Sequence, residues 1–179
     1  METSRMLLLK EQAPKGYDYV YKQPNVNYLN ESEDSTVTPK LTTEELDKII
    51  PTLFKGSSTS SGKVKMIILR PETLNRLFVN EVEVVKGKGI VGDKWTVDVS
   101  TKTDYEEREV SIMNYRALKL ISGSDVRCAL AGDNIIVDMD LDGCQPGDIF
   151  TIGDVTLKIS PDPHPGCARF QRRYCTQFF

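Results

Sequence analysis

The chain has 179 residues, 39% of them apolar and 27% charged, with a formal net charge of −3 and a pI near 5.3. That balance suits one globular domain with an appendage, and it excludes duplex binding, which needs clustered Lys and Arg to displace phosphate counterions. Apolar runs such as Met6–Leu9 and Met66–Leu69 fall short of the ~20 residues of a bilayer span and the ~7 to 15 of a secretory core, so no membrane contact is expected and the cytosol is the expected compartment.

Residues 1–62 carry no sustained apolar period, as in Gln23–Asn27 and Asn30–Ser35, and read as an extended, irregular N-terminal arm. One short helix is predicted inside it, near 43–50. Thr42-Thr43-Glu44-Glu45 is a capping box, and Leu46, Ile49 and Ile50 supply an apolar edge. Gly56–Gly62 has the small, polar composition of a flexible linker, so a boundary is expected there, with residues 63–179 as the folded domain.

Beyond the linker, β-type segments recur at Lys63–Leu69, Glu81–Val85, Trp95–Val99, Glu109–Met113, Asn134–Val137, Ile149–Ile152 and Val155–Ile159. Gly153-Asp154 between the last two suits a two-residue hairpin loop. A single helix is expected after Asn114 as N-cap, with Ala117, Leu118 and Ile121 at helical spacing and Gly123 ending it. The expected fold is mostly β, a barrel with one or two short helices behind the irregular arm.

Gly87–Gly92 satisfies G-x-G-x-x-G, but a dinucleotide fingerprint must open a helix. Asp93–Val99 alternates like a strand, so a turn between strands is expected. Gly132-Asp133-Asn134 and Gly147-Asp148 also read singly as turns. The acidic runs Asp104–Glu107 and Asp138–Asp142 lack EF-hand spacing and read as solvated loop. Cys128, Cys144, Cys167 and Cys175 lack paired zinc spacing, and without a secretory signal they are expected as free thiols.

Pro161–Arg173 holds the densest chemistry. Prolines 161, 163 and 165 forbid a helix and imply a stiff extended loop, Gly166 allows a turn, and the sole histidine, His164, precedes Cys167 by three residues. Arg169, Arg172 and Arg173 follow. Cationic neighbours favour a reactive thiolate and suit a phosphate-bearing ligand; a buried, inert cysteine is equally open on local chemistry, and a surface loop is open for His164. No Gly-x-Ser-x-Gly elbow supports a hydrolytic triad.

The ordered set Gly89-Ile90-Val91-Gly92-Asp93, Arg108–Met113, Ala131-Gly132-Asp133-Asn134, Pro146-Gly147-Asp148 with Ile152-Gly153, and His164–Phe170 resembles the MOSC domain, the C-terminal domain of molybdenum cofactor sulfurases, from about Lys63 to Tyr174. The resemblance implies a β-barrel that binds the molybdenum cofactor (molybdopterin), with Cys167 matching the family's defining cysteine. Either Cys167 carries sulfur as a persulfide to the molybdenum, or its thiolate ligates the metal in a reductase. It further implies Asn134, His164 and Arg169 as polar groups near the pterin phosphate, and a cysteine desulfurase or a molybdoenzyme as partner. The family's pyridoxal-phosphate domain finds no residues here.

Relatives usually continue past the cysteine, whereas this sequence stops at Phe179, so a truncated barrel whose open edge is covered by the arm or by another chain is also expected. That points to an alternative, a non-catalytic interaction module working through the arm. A plain third reading is a fragment that does not fold alone.

Overall fold

A computed structural model of the chain describes residues 4–7, 28–30, 41–95, 108–161 and 168–174. In chain order its elements are β1 (Ser4–Leu7), β2 (Tyr28–Asn30), α1 (Thr43–Leu53), β3 (Lys63–Leu69), β4 (Asn75–Val79), β5 (Glu81–Val85), β6 (Gly89–Ile90), β7 (Ile112–Asn114), α2 (Tyr115–Ser122), α3 (Asp125–Cys128), a 3-10 turn (Ala129–Ala131), β8 (Ile135–Asp138), β9 (Ile149–Ile152), β10 (Val155–Lys158) and α4 (Ala168–Tyr174).

The centre is β3. Its last four residues, Met66-Ile67-Ile68-Leu69, are all buried, which a strand shows when both faces of its sheet are covered. Alternation sends Ile67 and Leu69 into a core with Val79, Val82, Val84, Ile90, Ile135, Val137 and Val155. Met66 and Ile68 enter a second core with Phe78, Leu118, Cys128, Leu130, Ile136 and Tyr174. Helices therefore cover one face of the sheet β2-β4-β3-β8-β7, and the smaller sheets β1-β5-β6 and β9-β10 contribute to the other.

This corrects the expected mostly-β barrel. The fold is mixed α/β with helix and strand in about equal measure, and no barrel closes among the described residues. The physical reason lies between β7 and β8. They pair in parallel, Ile112 opposite Ile135 and Asn114 opposite Val137, and parallel neighbours require a crossover that antiparallel ones do not. Here α2, α3 and the 3-10 turn are that crossover, and packed on the sheet they occupy a face that a barrel would curl inward. A count of strands carries no information about this pairing.

Locally the sequence signals were accurate where neighbours decide them. Thr42 Oγ1 accepts from the Glu45 amide at 3.2 Å while the Thr42 amide donates to Glu45 Oε2 at 2.8 Å. Asn114 Oδ1 accepts from the Ala117 amide at 2.9 Å, and Gly123 closes α2 at φ 76°. Val155 stands opposite Ile152 across the Gly153-Asp154 loop.

Other segments differ. Asp93 and Lys94 leave β6 in a turn and Trp95 is helical, so the expected strand does not begin there; residues 96–99 lie outside the described residues. The stretch after the prolines turns into α4, because from Ala168 onward nothing removes a backbone donor. Gly56–Gly62 is fastened down rather than loose. The Asp140 amide donates to Ser58 O at 3.0 Å, and Gly62 lies so close to Asp138 and Met139 that a Cβ there would meet Met139 Cβ at 2.4 Å.

Candidate functional site

At the end of β3, Arg70 turns into a buried polar cluster assembled from four distant segments. Its Nε donates to Asp93 Oδ2 at 2.9 Å, its Nη2 to Asp93 Oδ1 and Asn134 Oδ1, both at 3.0 Å, and its Nη1 to Gly132 O at 2.6 Å. Asp93 also accepts from the backbone amides of Arg70 and Trp95 and from Asn134 Nδ2 at 2.8 Å. A carboxylate removed from water needs such compensation in full, and Asp93 has it.

Asn134 completes the frame. Its Oδ1 accepts from Arg70 and, at 3.2 Å, from Ser111 Oγ. Its Nδ2 donates to Asp93 and, at 3.2 Å, to Ile68 O. Both amide hydrogens are committed to the protein, so Asn134, 1% exposed, acts by holding its neighbours in place.

The same region anchors the segment that follows Cys167. Within α4, Phe170 and Tyr174 are one helical turn apart and point into the second core, their ring centroids 4.8 Å apart. The Tyr174 hydroxyl, pushed up by burial, donates to Arg127 O at 2.6 Å. Arg173 Nη1 donates to Leu130 O, Arg127 Nη2 donates to Arg173 O at 3.3 Å, and Arg173 Nη1 would stand 3.7 Å from a Cβ at Gly132. Arg169 and Arg172 remain exposed on the outer side of α4.

Of the sequence-derived site residues, Asn134 is buried in the cluster and Arg169 is exposed on α4; Cys167 and His164 lie outside the described residues, as does Cys175. Cys128 and Cys144 are free thiols. Cys128 is chemically muted, because burial pushes it up to about 11 despite the Ser122 hydroxyl 3.4 Å away.

Sequence reasoning missed Arg70 and Ser111 as partners of the cluster and Asp93 as its centre, and it read Arg173 as a cationic neighbour of Cys167 rather than as the residue that fastens α4 to Leu130 O. Asp93 and Ser111 stood inside quoted motifs, but only the folded chain shows what they bind. Among the described residues, no group of three His, Cys, Asp or Glu side chains could hold a metal ion, and no helix is long and apolar enough to cross a membrane. No family model matches the chain, and neither a curated protein nor a solved structure matches it.

Proposed function

We propose that the chain handles the molybdenum cofactor in the manner of MOSC-type proteins, with Cys167 as the thiol that carries sulfur or meets the molybdenum. One observation carries this reading. Motif segments far apart in sequence, those ending at Asp93, running through Ser111 and ending at Asn134, meet in one hydrogen-bonded cluster, and the helix directly following Cys167 docks on the adjoining 130–132 turn. Convergence of this kind is what a site assembled by a fold requires.

The residues fit the cofactor at its charged end. Exposed Arg169 and Arg172 lie on a helix without a carboxylate, and guanidinium groups match phosphate oxygens in geometry and charge. When bound, the cofactor supplies a metal centre at which sulfur is received or a substrate is reduced. In this reading His164 and Arg169 bind the phosphate, Asn134 holds the Arg70–Asp93 frame beneath, and Cys167 is the protein's soft donor. Sulfur would arrive from a separate cysteine desulfurase, a molybdoenzyme would be served downstream, and the cytosol is the proposed compartment.

The test is retention of the cofactor. Purified protein mixed with molybdenum cofactor released from a donor enzyme is passed through gel filtration, then assayed for molybdenum and pterin fluorescence. Near-stoichiometric retention, reduced in Cys167→Ser, is expected; wild-type protein that retains neither metal nor pterin would sink the proposal. In parallel, Cys167 should alkylate fastest of the four cysteines and Cys128 slowest.

A further inference from the structure

α1 is fastened to the rest of the fold at its carboxyl end. None of its residues is buried, and Ile50 stays 50% exposed. Its 11 residues fall short of the ~12–15 below which an isolated helix is marginal in water, and Pro51 inside it removes one ladder donor. The last turn holds no basic side chain. The cation comes from α2 instead. Arg116 Nη1 donates to Leu53 O at 3.3 Å and to Lys55 O at 3.1 Å, while its Nε donates to Asp138 Oδ1 at 2.8 Å. One guanidinium therefore caps the helix and ties it to the end of β8.

Two further observations bear on how firmly this cap holds. The side chains of the Arg116–Asp138 pair are 29% and 28% exposed, where dissolved ions screen the attraction. Beside the capped turn, Ser57 Oγ is buried and meets no hydrogen-bond partner among the described residues, although the Ser57 amide prolongs the turn by donating to Phe54 O at 2.8 Å. A hydroxyl held in this way opposes the closed state, because opening returns it to water. Past Ser57 the chain is held separately, by the Asp140 amide on Ser58 O at 3.0 Å.

We propose that residues 43–57 are a conditional helix latched by Arg116, which melts in place as one unit while the sheet and its two cores stay folded. Order-to-disorder switching of a segment is a recognised conformational device. Ionic strength sets this one, since screening loosens Arg116 from Asp138 and from the α1 carbonyls together. Melting frees Leu46, Ile49, Ile50 and Leu53, which share one edge of the helix, from their fixed arrangement. This inference is independent of the cofactor reading.

The experiment is native-state amide hydrogen exchange on the full-length chain, read residue by residue. The amides of Asp47–Ile50, Lys55 and Ser57 should share a single opening equilibrium, far easier than that of Ile67 and Ile68 in β3. Raising salt from ~0.1 M to ~1 M, which shortens the screening length from about 10 Å to about 3 Å, should speed their exchange together. Arg116→Gln should speed it about tenfold, the scale of a lost charge-assisted bond. Ser57→Ala should act in the opposite sense and slow it about fivefold, because the closed state no longer strands a hydroxyl; it also keeps the test open if Arg116→Gln does not fold. Protection that declines steadily from one end of α1, as in fraying, would overturn the proposal. So would exchange that ignores both salt and Arg116→Gln, or that Ser57→Ala does not slow.

Discussion

Arg70 and Asp93 form a two-point ion pair, Nε to Oδ2 at 2.9 Å and Nη2 to Oδ1 at 3.0 Å, with the Asp93 side chain only 1% exposed. Breaking such a pair from one side leaves a charge without compensation, at a cost of roughly 3–5 kcal/mol. Because Arg70 retains 18% side-chain exposure, Asp93→Asn should lose about 3 kcal/mol by urea denaturation. Removing both charges, Arg70→Met with Asp93→Asn, should recover part of that loss, because an amide oxygen at position 93 can still accept from the Arg70 and Trp95 backbone amides. A double variant no more stable than the single one would show that the pair is not the unit.

Asn134→Asp preserves shape but puts a second carboxylate beside Asp93, where Asn134 Nδ2 now donates at 2.8 Å. Like charges at that separation disfavour joint ionisation. The variant should be destabilised by about 2–3 kcal/mol near pH 7, and the deficit should shrink as pH falls and the added carboxyl takes up a proton. Equal deficits at pH 5 and pH 8 would contradict the arrangement.

Two glycines separate crowding from backbone strain. At Gly62 a Cβ would meet Met139 Cβ at 2.4 Å and Asp138 O at 2.6 Å, so Gly62→Ala should cost about 3 kcal/mol as overpacking. Gly87 has φ +77° but nothing within 4 Å, so Gly87→Ala should cost only about 1 kcal/mol. Thermal melts of the two variants should rank in that order.

Cys128 gives an alkaline signature. Its thiol is held above the ordinary value of 9.0, at about 11, chiefly by burial. The unfolded chain therefore releases this proton at a lower pH than the folded one. The contribution to stability is complete below about pH 9 and falls by roughly 1.4 kcal/mol per pH unit as pH climbs toward the folded value. Cys128→Ala should flatten that part of the stability profile; a wild-type decline unchanged in the variant would assign it to other groups.

Legibility in the sequence followed range. The capping box at Thr42, the Asn114 and Gly123 ends of α2 and the Gly153-Asp154 hairpin are decided within a few residues, and each could be read directly. β4 was not legible, because Arg76 interrupts its apolar run; the folded chain buries that residue by letting Nε donate to Ala129 O at 3.1 Å. The barrel expectation failed because pairing β7 beside β8 is decided by packing of the intervening helices, which no strand pattern reports. In the candidate site Asn134 was singled out by resemblance, but its partner Arg70 carried no signal beyond following an apolar strand.

The pairing of Ser111 with Asn134 has a kinetic side. It pins the starts of two parallel strands whose connection, residues 115–134, holds α2, α3 and the 3-10 turn. Loop closure of that kind is entropically costly and is met before the contact returns anything. A pin of this range is expected to close late in folding. Loosening it with Ser111→Ala should speed unfolding while leaving the refolding limb of a chevron almost unmoved, the signature of a contact that holds a shape in time without helping to reach it.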